Sequence, residues 1–300
     1  MTAPVTGAGG AAGRLFVRAG LLAPALFVFL WSTGYVVARL GMPHAPPLGF
    51  LSMRFALAVL VLGTMALAAR ARWPSRAQAL HLVVCGLLIQ ASYLAGVWCA
   101  VKLGMPAGVS ALIVNLQPVL TAAAAPWVGE HTSPRQWLGL GLGFAGVAMV
   151  VATKTSAQGI TAATLALSLF SLLAITGGTL YQKRFCPAFD LRTGSLIQYA
   201  ASFVAVLPFA LWLEADAAWN WNAELAFAMG WSVLVLSVGA IFLMFTLIRR
   251  GEASRVASLF YLVPPVTAAL AWALFDERFA LPALAGLVLA AAGVALVQRR

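Results

Sequence analysis

Long apolar runs, separated by short polar or basic segments, fill nearly the whole chain. Most runs are close to the roughly 20 residues that an α-helix needs to cross the hydrocarbon core of a bilayer. Lipid favours helices there, because every backbone N–H and C=O group must be bonded within the protein. The pattern predicts an all-α membrane protein with ten transmembrane helices, at 21–40, 47–69, 79–101, 106–128, 136–152, 159–181, 194–213, 226–248, 255–274 and 281–298.

The composition agrees with a protein surrounded by lipid. Of the 300 residues, 62% are hydrophobic and 9% are charged, and the mean hydropathy is +0.94. A soluble domain carries about 25% charged residues, which cover its water-facing surface. The composition therefore excludes a mainly soluble protein and predicts a lipid bilayer as the surroundings. The net charge is +11. The basic residues lie where membrane topology places them, as described next, so we expect no nucleic-acid partner.

The basic residues indicate the orientation. Fourteen of the nineteen Lys and Arg residues fall in the two termini and in the loops on their side, and four fall on the other side. Loops rich in Lys and Arg stay in the cytoplasm. We therefore expect both termini to be cytoplasmic and the number of spans to be even. Residues 1–20 are predicted to be a disordered, cytoplasmic N-terminal segment, because they begin with a Gly/Ala/Thr-rich stretch.

The chain contains an internal repeat at a shift of 147 positions. Matched Gly, Pro and Glu residues are informative because these types recur rarely by chance. The matched pairs are Gly104 with Gly251, Pro118 with Pro265, Glu130 with Glu277, Gly139 with Gly286 and Gly146 with Gly293. The repeat predicts a first five-helix repeat over 21–153 and a second over 159–300. Because five is odd, the second repeat enters the membrane from the opposite side, as in many secondary transporters.

Prolines occupy the middle of equivalent spans. Pro118 is central in span four, and Pro264 and Pro265 are central in span nine. A proline in a helix removes an N–H donor and displaces the carbonyl four residues earlier. Since these kinks recur at matched depth, we favour a role as hinges that line a central cavity. The alternative is a kink that serves packing only.

Polar and aromatic side chains lie at similar depth in several spans, and such groups face the bundle interior or a water-filled path. Asn115 shares a helical stripe with Pro118 and is preferred as a pathway residue. Gln117 lies on another face, so its assignment stays open. The alternative for each residue is an interhelical hydrogen bond, or core packing for Trp31. The predicted substrate pathway comprises Trp31, Arg54, Gln90, Tyr93, Asn115, Gln117, Ser237 and Tyr261.

Arg54 is the only charged residue well inside a predicted span. Placing an arginine at the centre of a bilayer costs about 2.5–3.5 kcal/mol on the translocon scale. One interpretation is a contact with an anion or carboxylate in an outward-facing vestibule. The other is an arginine that snorkels to the surface or links two helices.

Residue types that carry enzyme chemistry are not grouped in the sequence. All eight carboxylates fall in loops or at span ends, and the three His and three Cys residues form no catalytic or metal-binding set. We therefore expect no enzyme activity, no metal and no cofactor. The pattern G-x-G-x-x-G at 141–146 lies inside a span without a preceding strand, so it is not a dinucleotide site. Its glycines instead permit close helix contact, within the bundle or in a homodimer.

Short motifs resemble those of one transporter family. The first span carries the run WSTGYVVARLG at 31–41, and the second begins at Pro47 and contains MRF at 53–55. Each half ends with a mid-span proline, a glutamate after that span and a Gly-rich last span. Together these features resemble the EamA family of the drug/metabolite transporter superfamily over about residues 21–298.

The resemblance implies a ten-helix inverted-repeat fold in the bacterial inner membrane, with a cavity lined by spans one, three, four, six, eight and nine. It also implies export of metabolites, amino acids or xenobiotics. Arg54 matches the family's arginine in span two, whereas Gln198 stands roughly at that place in the second half. Residues that match the repeat motif are Pro118, Pro265, Glu130 and Glu277.

The sequence thus favours a secondary transporter that moves a small-molecule substrate by alternating access around a midplane cavity. An amphipathic, uncharged lining suits small metabolites better than inorganic ions. Coupling to protons and facilitated diffusion are both consistent with it. Two alternatives are an integral membrane enzyme acting on lipid-linked substrates, which would need a clustered catalytic set, and a non-transporting membrane assembly partner.

Overall fold

The computed structural model describes residues 10–124, 133–154, 159–243, 262–277 and 281–298. These residues are mostly helical and include no β-strand. Two π-helical segments, π1 (Gly86–Ser92) and π2 (Trp231–Ala240), continue into α-helix. The α-helices are α1 (Gly10–Gly41), α2 (Pro47–Ala68), α3 (Arg76–Cys85), α4 (Tyr93–Lys102), α5 (Ala107–Val114), α6 (Gln117–Ala124), α7 (Pro134–Lys154), α8 (Ala162–Phe185), α9 (Leu191–Leu213), α10 (Ala223–Gly230), α11 (Val263–Phe275) and α12 (Leu281–Gln298).

Six helices in the described residues are long and apolar enough to cross a membrane. They are Ala23–Gly41, Pro47–Ala68, Arg76–Lys102, Ala162–Phe185, Leu191–Leu213 and Ala223–Leu243. The other four predicted spans correspond to shorter apolar helices, at Ala107–Thr121, Trp137–Val150, Val263–Phe275 and Leu281–Gly293. The chain is therefore an all-helical, multi-pass membrane protein, and the count of ten spans stays a prediction.

Helix α1 begins at Gly10, well before the predicted start of the first span at residue 21. Residues 10–20 are helical, and the predicted boundary at residue 20, between a disordered cytoplasmic segment and the first repeat, stays a prediction. The physical reason lies in the local sequence, which contains Ala, Leu and Arg, all strong helix formers. These residues allow the transmembrane helix to extend beyond the apolar run.

The two π-helical segments occupy equivalent places in the repeat. The shift of 147 positions carries residues 86–92 of π1 onto residues 233–239, which lie inside π2. Gly86 packs closely against the neighbouring helix α9, since a Cβ on Gly86 would lie 2.7 Å from the Cα of Gln198. Both halves thus carry the same irregularity in their third helix, where the sequence itself aligns only loosely.

Helix packing pairs the two halves of the chain. Predicted span two packs against span seven, span three against span six, span one against span eight, span four against span nine, and span five against span ten. The same set of pairs results when every span is exchanged for its counterpart in the other half, five spans away. The main hydrophobic core lies between these helices and includes Phe27, Phe50, Phe55 and Trp98.

Helices α7 and α12 meet through glycines. A Cβ on Gly293 would lie 2.5 Å from the carbonyl oxygen of Gly139, and a Cβ on Gly286 would lie 2.6 Å from that of Gly146. In the repeat, Gly139 corresponds to Gly286 and Gly146 to Gly293. Replacing both glycines of one contact by their repeat counterparts therefore gives the other contact, which is what a local two-fold axis between two antiparallel helices produces.

Candidate substrate site

Arg54 lies at the interface between the two halves of the chain. Its Nε donates a hydrogen bond to Ser237 Oγ over 3.1 Å, linking α2 to π2. The side chain is 5% exposed, so it does not snorkel to the surface. Of the predicted interpretations, helix linking is thus observed, and the contact with an anion stays a prediction.

Aromatic hydroxyls surround the guanidinium group. The Tyr35 and Tyr93 hydroxyls lie 3.4 Å apart, and Tyr93 interacts electrostatically with Arg54. The Tyr199 side chain lies beside both Arg54 and Ser237 and interacts electrostatically with Arg54. These side chains are all buried, and together they connect four helices and π2.

Trp98 completes this group. Its ring centroid lies 6.0 Å from the Cζ atom of Arg54, at the outer limit for a cation–π interaction. The indole also stacks on Phe50 with centroids 4.5 Å apart, which holds it in place. We define the Arg54 cluster as Tyr35, Arg54, Tyr93, Trp98, Tyr199 and Ser237.

The Arg54 cluster contains one formal charge and no carboxylate. Among the described residues, the ion pairs lie elsewhere, between Arg39 and Glu277, His44 and Glu224, and Arg192 and Asp190. The described part of the chain also contains no group of three or more His, Cys, Asp or Glu residues that could hold a metal ion. The cluster is therefore a buried site of positive charge lined by hydroxyls and aromatic rings.

The fourth predicted span breaks next to Pro118. Helix α5 ends at Val114 and α6 begins at Gln117. Val114 is four residues before Pro118, and its carbonyl is the one that this proline displaces. Asn115 Nδ2 donates to the carbonyl of Ala111 over 2.7 Å, so its amide satisfies a backbone acceptor of its own helix. Gln117 Nε2 donates to Thr179 Oγ1 over 3.0 Å and links α6 to α8.

The first helix contacts the proline region of the ninth predicted span. Ser32 Oγ lies 3.4 Å from the carbonyl oxygen of Val263, directly before Pro264 and Pro265 in the first turn of α11. Trp31 is partly buried and packs on Phe27 with ring centroids 5.5 Å apart. Tyr261, also predicted for the pathway, lies outside the described residues.

A carboxylate ties loops to helices at one end of the bundle. Glu277 Oε1 accepts a hydrogen bond from the backbone N–H of Ala107 over 3.3 Å and lies 3.8 Å from Arg39 Nε. Ala107 is the first residue of α5, and the N-terminus of a helix favours a negative charge. The end of α1, the start of α5 and the segment after α11 are thereby joined.

A second carboxylate does the same at α2. Glu214 accepts hydrogen bonds from the N–H groups of Leu48 and Gly49 over 3.0 Å and 2.8 Å. Near the start of α2, the carbonyl of Met42 accepts a hydrogen bond of 2.7 Å from Lys102 Nζ. We call this end of the bundle, with residues 39–49, 102–107, 214–224 and 276–277, the Glu277 end.

The EamA-like transporter family model matches residues 18–152 and, a second time, residues 162–299. The chain belongs to this family. It is 30% identical over 284 residues to the uncharacterized transporter YvbV of Bacillus subtilis, covering 92% of this chain and 90% of that protein. It is also 30% identical over 278 residues to a probable amino-acid metabolite efflux pump of Salmonella typhimurium, covering 90% and 91%.

The fold is shared with a protein of known crystal structure. The superposition has a TM-score of 0.63 at 18% identity and covers 92% of this chain and 94% of the other. This EamA-like chain is therefore a membrane transporter by family, with a fold already observed in a solved structure.

The structure brings three of the predicted pathway residues of this EamA-like transporter together. Arg54, Tyr93 and Ser237 meet in the Arg54 cluster. Gln90 is buried in π1, at the repeat position that corresponds to Ser237. Asn115 and Gln117 bond to Ala111 and Thr179, so their described hydrogen bonds do not join them to the cluster.

Three members of the Arg54 cluster are absent from the predicted pathway. They are Tyr35, Trp98 and Tyr199. The available signal was the same that selected Tyr93, namely an amphipathic aromatic residue inside an apolar run. Tyr199 is the only tyrosine in predicted span seven. The neighbouring Gln198 does not contact the cluster in the way that Arg54 does, and it bonds to Gln182 over 3.1 Å.

Proposed function

We propose that this chain is a secondary transporter that exports small metabolites of the amino-acid type across the bacterial inner membrane by alternating access. The observation that carries the proposal is the bond of Arg54 in the first half to Ser237 in the second. A buried polar group at the interface of two halves is the expected place for a transported solute. The membership of a transporter family and the name of the Salmonella relative support this function.

Two inverted five-helix repeats would provide the moving parts. The reciprocal glycine contacts between α7 and α12 fit a two-fold axis in the membrane plane, as does the exchange symmetry of the helix pairs. With ten spans and the observed bias of basic residues, both termini lie in the cytoplasm. In this arrangement the Glu277 end faces the outside.

Opening toward the outside would break the bonds at the Glu277 end. The contacts of Glu277 with Ala107 and Arg39 join helices of different halves. The break between α5 and α6, with Pro118, and the prolines at the start of α11 would act as hinges. Backbone groups that leave regular helix pairing are tolerated in membranes where they line a cavity or meet protein.

The pathway residues Trp31, Gln90, Tyr93, Asn115, Gln117 and Tyr261 are proposed to border the route around the Arg54 cluster. Such a lining combines aromatic surfaces with a few polar groups, as sites for amphipathic small molecules do. Gln90 and Asn115 are both buried. Access to them therefore requires the bundle to open.

Counterflow in proteoliposomes tests the function directly. Vesicles loaded with each unlabelled L-amino acid in turn would be mixed with a trace of the labelled form, with and without a pH gradient. We expect saturable, protein-dependent exchange for at least one amino acid, and its loss in the Asn115→Leu variant. Leu211→Ala, which changes an exposed apolar side chain of α9, is the matched control. No exchange for any amino acid by monodisperse wild-type protein would contradict the proposed function.

A further inference from the structure

Arg54 holds a positive charge where the described residues supply no negative charge. A buried ion without a charged partner is costly, because the hydration it loses is not replaced. We propose that Arg54 binds the carboxylate group of the transported solute, an inference that rests on the proposed transport function. The described chain thus contributes the cation of this ion pair, and the solute contributes the anion.

The guanidinium bonds to neutral hydroxyl groups, and a carboxylate in their place would form stronger hydrogen bonds. Ser237 and Tyr199 offer neutral hydroxyl groups to Arg54. Hydrogen bonds to an ionised acceptor are roughly twice as strong, and a carboxylate can accept two parallel bonds from the planar guanidinium. The hydroxyls therefore hold the arginine in place and yield to the solute when it binds.

The same exchange connects binding to movement. Arg54 belongs to α2, whereas Ser237 and Tyr199 belong to π2 and α9 in the other half of the chain. When a carboxylate binds the guanidinium in place of these hydroxyls, the contacts of Arg54 with the other half are released. A ligand shifts a conformational equilibrium through such differences in contacts between the two states.

The surroundings limit the rest of the solute. The Arg54 cluster has no carboxylate for an ammonium group, and beside Ser237 and Tyr199 it consists of the aromatic side chains of Tyr93, Trp98 and, next to Tyr93, Tyr35. Aromatic side chains favour an apolar or aromatic remainder. The recognised class is therefore the amphipathic monocarboxylates, in which the carboxylate is required and the α-ammonium group is dispensable.

Binding of matched ligands to purified wild-type protein tests this class without relying on transport. The aromatic set is phenylpropanoate, phenylalanine, phenylalaninamide and phenylethylamine, and the aliphatic set is isocaproate, leucine, leucinamide and isoamylamine. Titration followed by the thermal midpoint should show binding of the carboxylates of at least one set. The amide and amine of that set should bind about tenfold more weakly or worse, the loss expected for one strong charged hydrogen bond. Equal binding of amide and carboxylate, or no carboxylate binding, would overturn the proposal.

Variants of the cluster separate recognition from a structural role. Arg54→Gln should abolish the preference for carboxylate over amide, and Arg54→Lys should keep part of it because the charge remains without the bidentate geometry. Leu211→Ala, which changes an exposed side chain of α9 outside the Arg54 cluster, should retain the preference. A folded Arg54→Gln protein that still prefers carboxylates would overturn the proposal. If that variant does not fold, Arg54→Lys takes its place, and an Arg54→Lys protein with the wild-type affinity and preference for carboxylates would overturn the proposal.

The flux assay on the same preparations distinguishes the two proposals. Counterflow of amino acids without any carboxylate preference would overturn the role of Arg54 and leave the transport function intact. Carboxylate binding that depends on Arg54, without counterflow of any amino acid, would contradict the transport function and support Arg54 as the binding residue.

Discussion

The carbonyl oxygen of Gly146 in α7 lies 2.6 Å from the position that a Cβ atom would take on Gly286 in α12. The two helices therefore touch through their backbones, and each supplies glycines at matched places in the repeat. Close approach of this kind is how transmembrane helices gain packing energy where lipid provides no hydrophobic driving force between them.

Gly286→Ala should destabilise the protein, since a methyl group there meets the backbone of α7. Forcing extra atoms into a packed contact costs about 1–3 kcal/mol. The thermal midpoint of the detergent-solubilised protein is expected to fall by several degrees. Gly141→Ala is the matched control, because a Cβ at Gly141 meets nothing within 4 Å and alanine has the higher helix propensity. An equal loss of stability in both variants would contradict the backbone contact.

The bonds of Glu277 predict a stability difference between two variants. Glu277→Gln weakens the contacts with both Ala107 and Arg39, whereas Arg39→Gln removes one of them. We expect the larger drop in thermal midpoint for Glu277→Gln, and a coupling of about 0.2–1 kcal/mol in the double-mutant cycle, since Arg39 is partly exposed. Asp216→Asn, which changes an exposed carboxylate of the Glu277 end, is the control. Additive effects of the two substitutions would show that the pair does not interact.

Asp190 should make stability depend on acid pH. The Arg192 side chain hydrogen-bonds Asp190 over 2.7 Å, and this bond holds the pKa of the Asp190 carboxyl below its ordinary value. The folded state is therefore stabilised at pH values above that ordinary value, and the contribution is lost as the pH falls through the lowered pKa.

Asp190→Asn tests this dependence, because asparagine keeps the capping bond at the start of α9. The thermal midpoint of the variant should lie below that of the wild type at neutral pH. The gap should narrow as the pH falls below the ordinary range for aspartate. A gap that stays constant from pH 7 to about pH 3 would contradict the lowered pKa.

Gln117 and Thr179 should act as a pair across α6 and α8. Gln117→Met and Thr179→Val each remove the hydrogen bond of 3.0 Å between them. Each is expected to cost about 0.5–1.5 kcal/mol, and the double variant should cost little more than one single variant. Thr64→Val, at an exposed hydroxyl that bonds only within α2 among the described contacts, controls for loss of a threonine hydroxyl. Simple addition of the two losses would argue against the bond.

The apolar runs of the sequence suffice to place the helices. Helix α2 begins at Pro47 and α9 ends at Leu213, both as predicted, and the glycines that the repeat aligns lie in the contact between α7 and α12. These features are local: in lipid, an apolar segment satisfies its own backbone hydrogen bonds. Where helix formation depends on propensity outside the apolar run, as at the start of α1, the helix extends beyond the predicted span.

Side-chain partners were decided by tertiary packing. The sequence singled out Arg54 and Ser237 separately, but they are 183 positions apart, and no local pattern states that they touch. Tyr199 joins them only because α9 packs beside α2, and the two π-helical segments are visible only in the folded backbone. The sequence therefore determined the family, the helices and the repeat. Only the packing of the two halves decided that the buried charge of the first lies among the hydroxyls of the second.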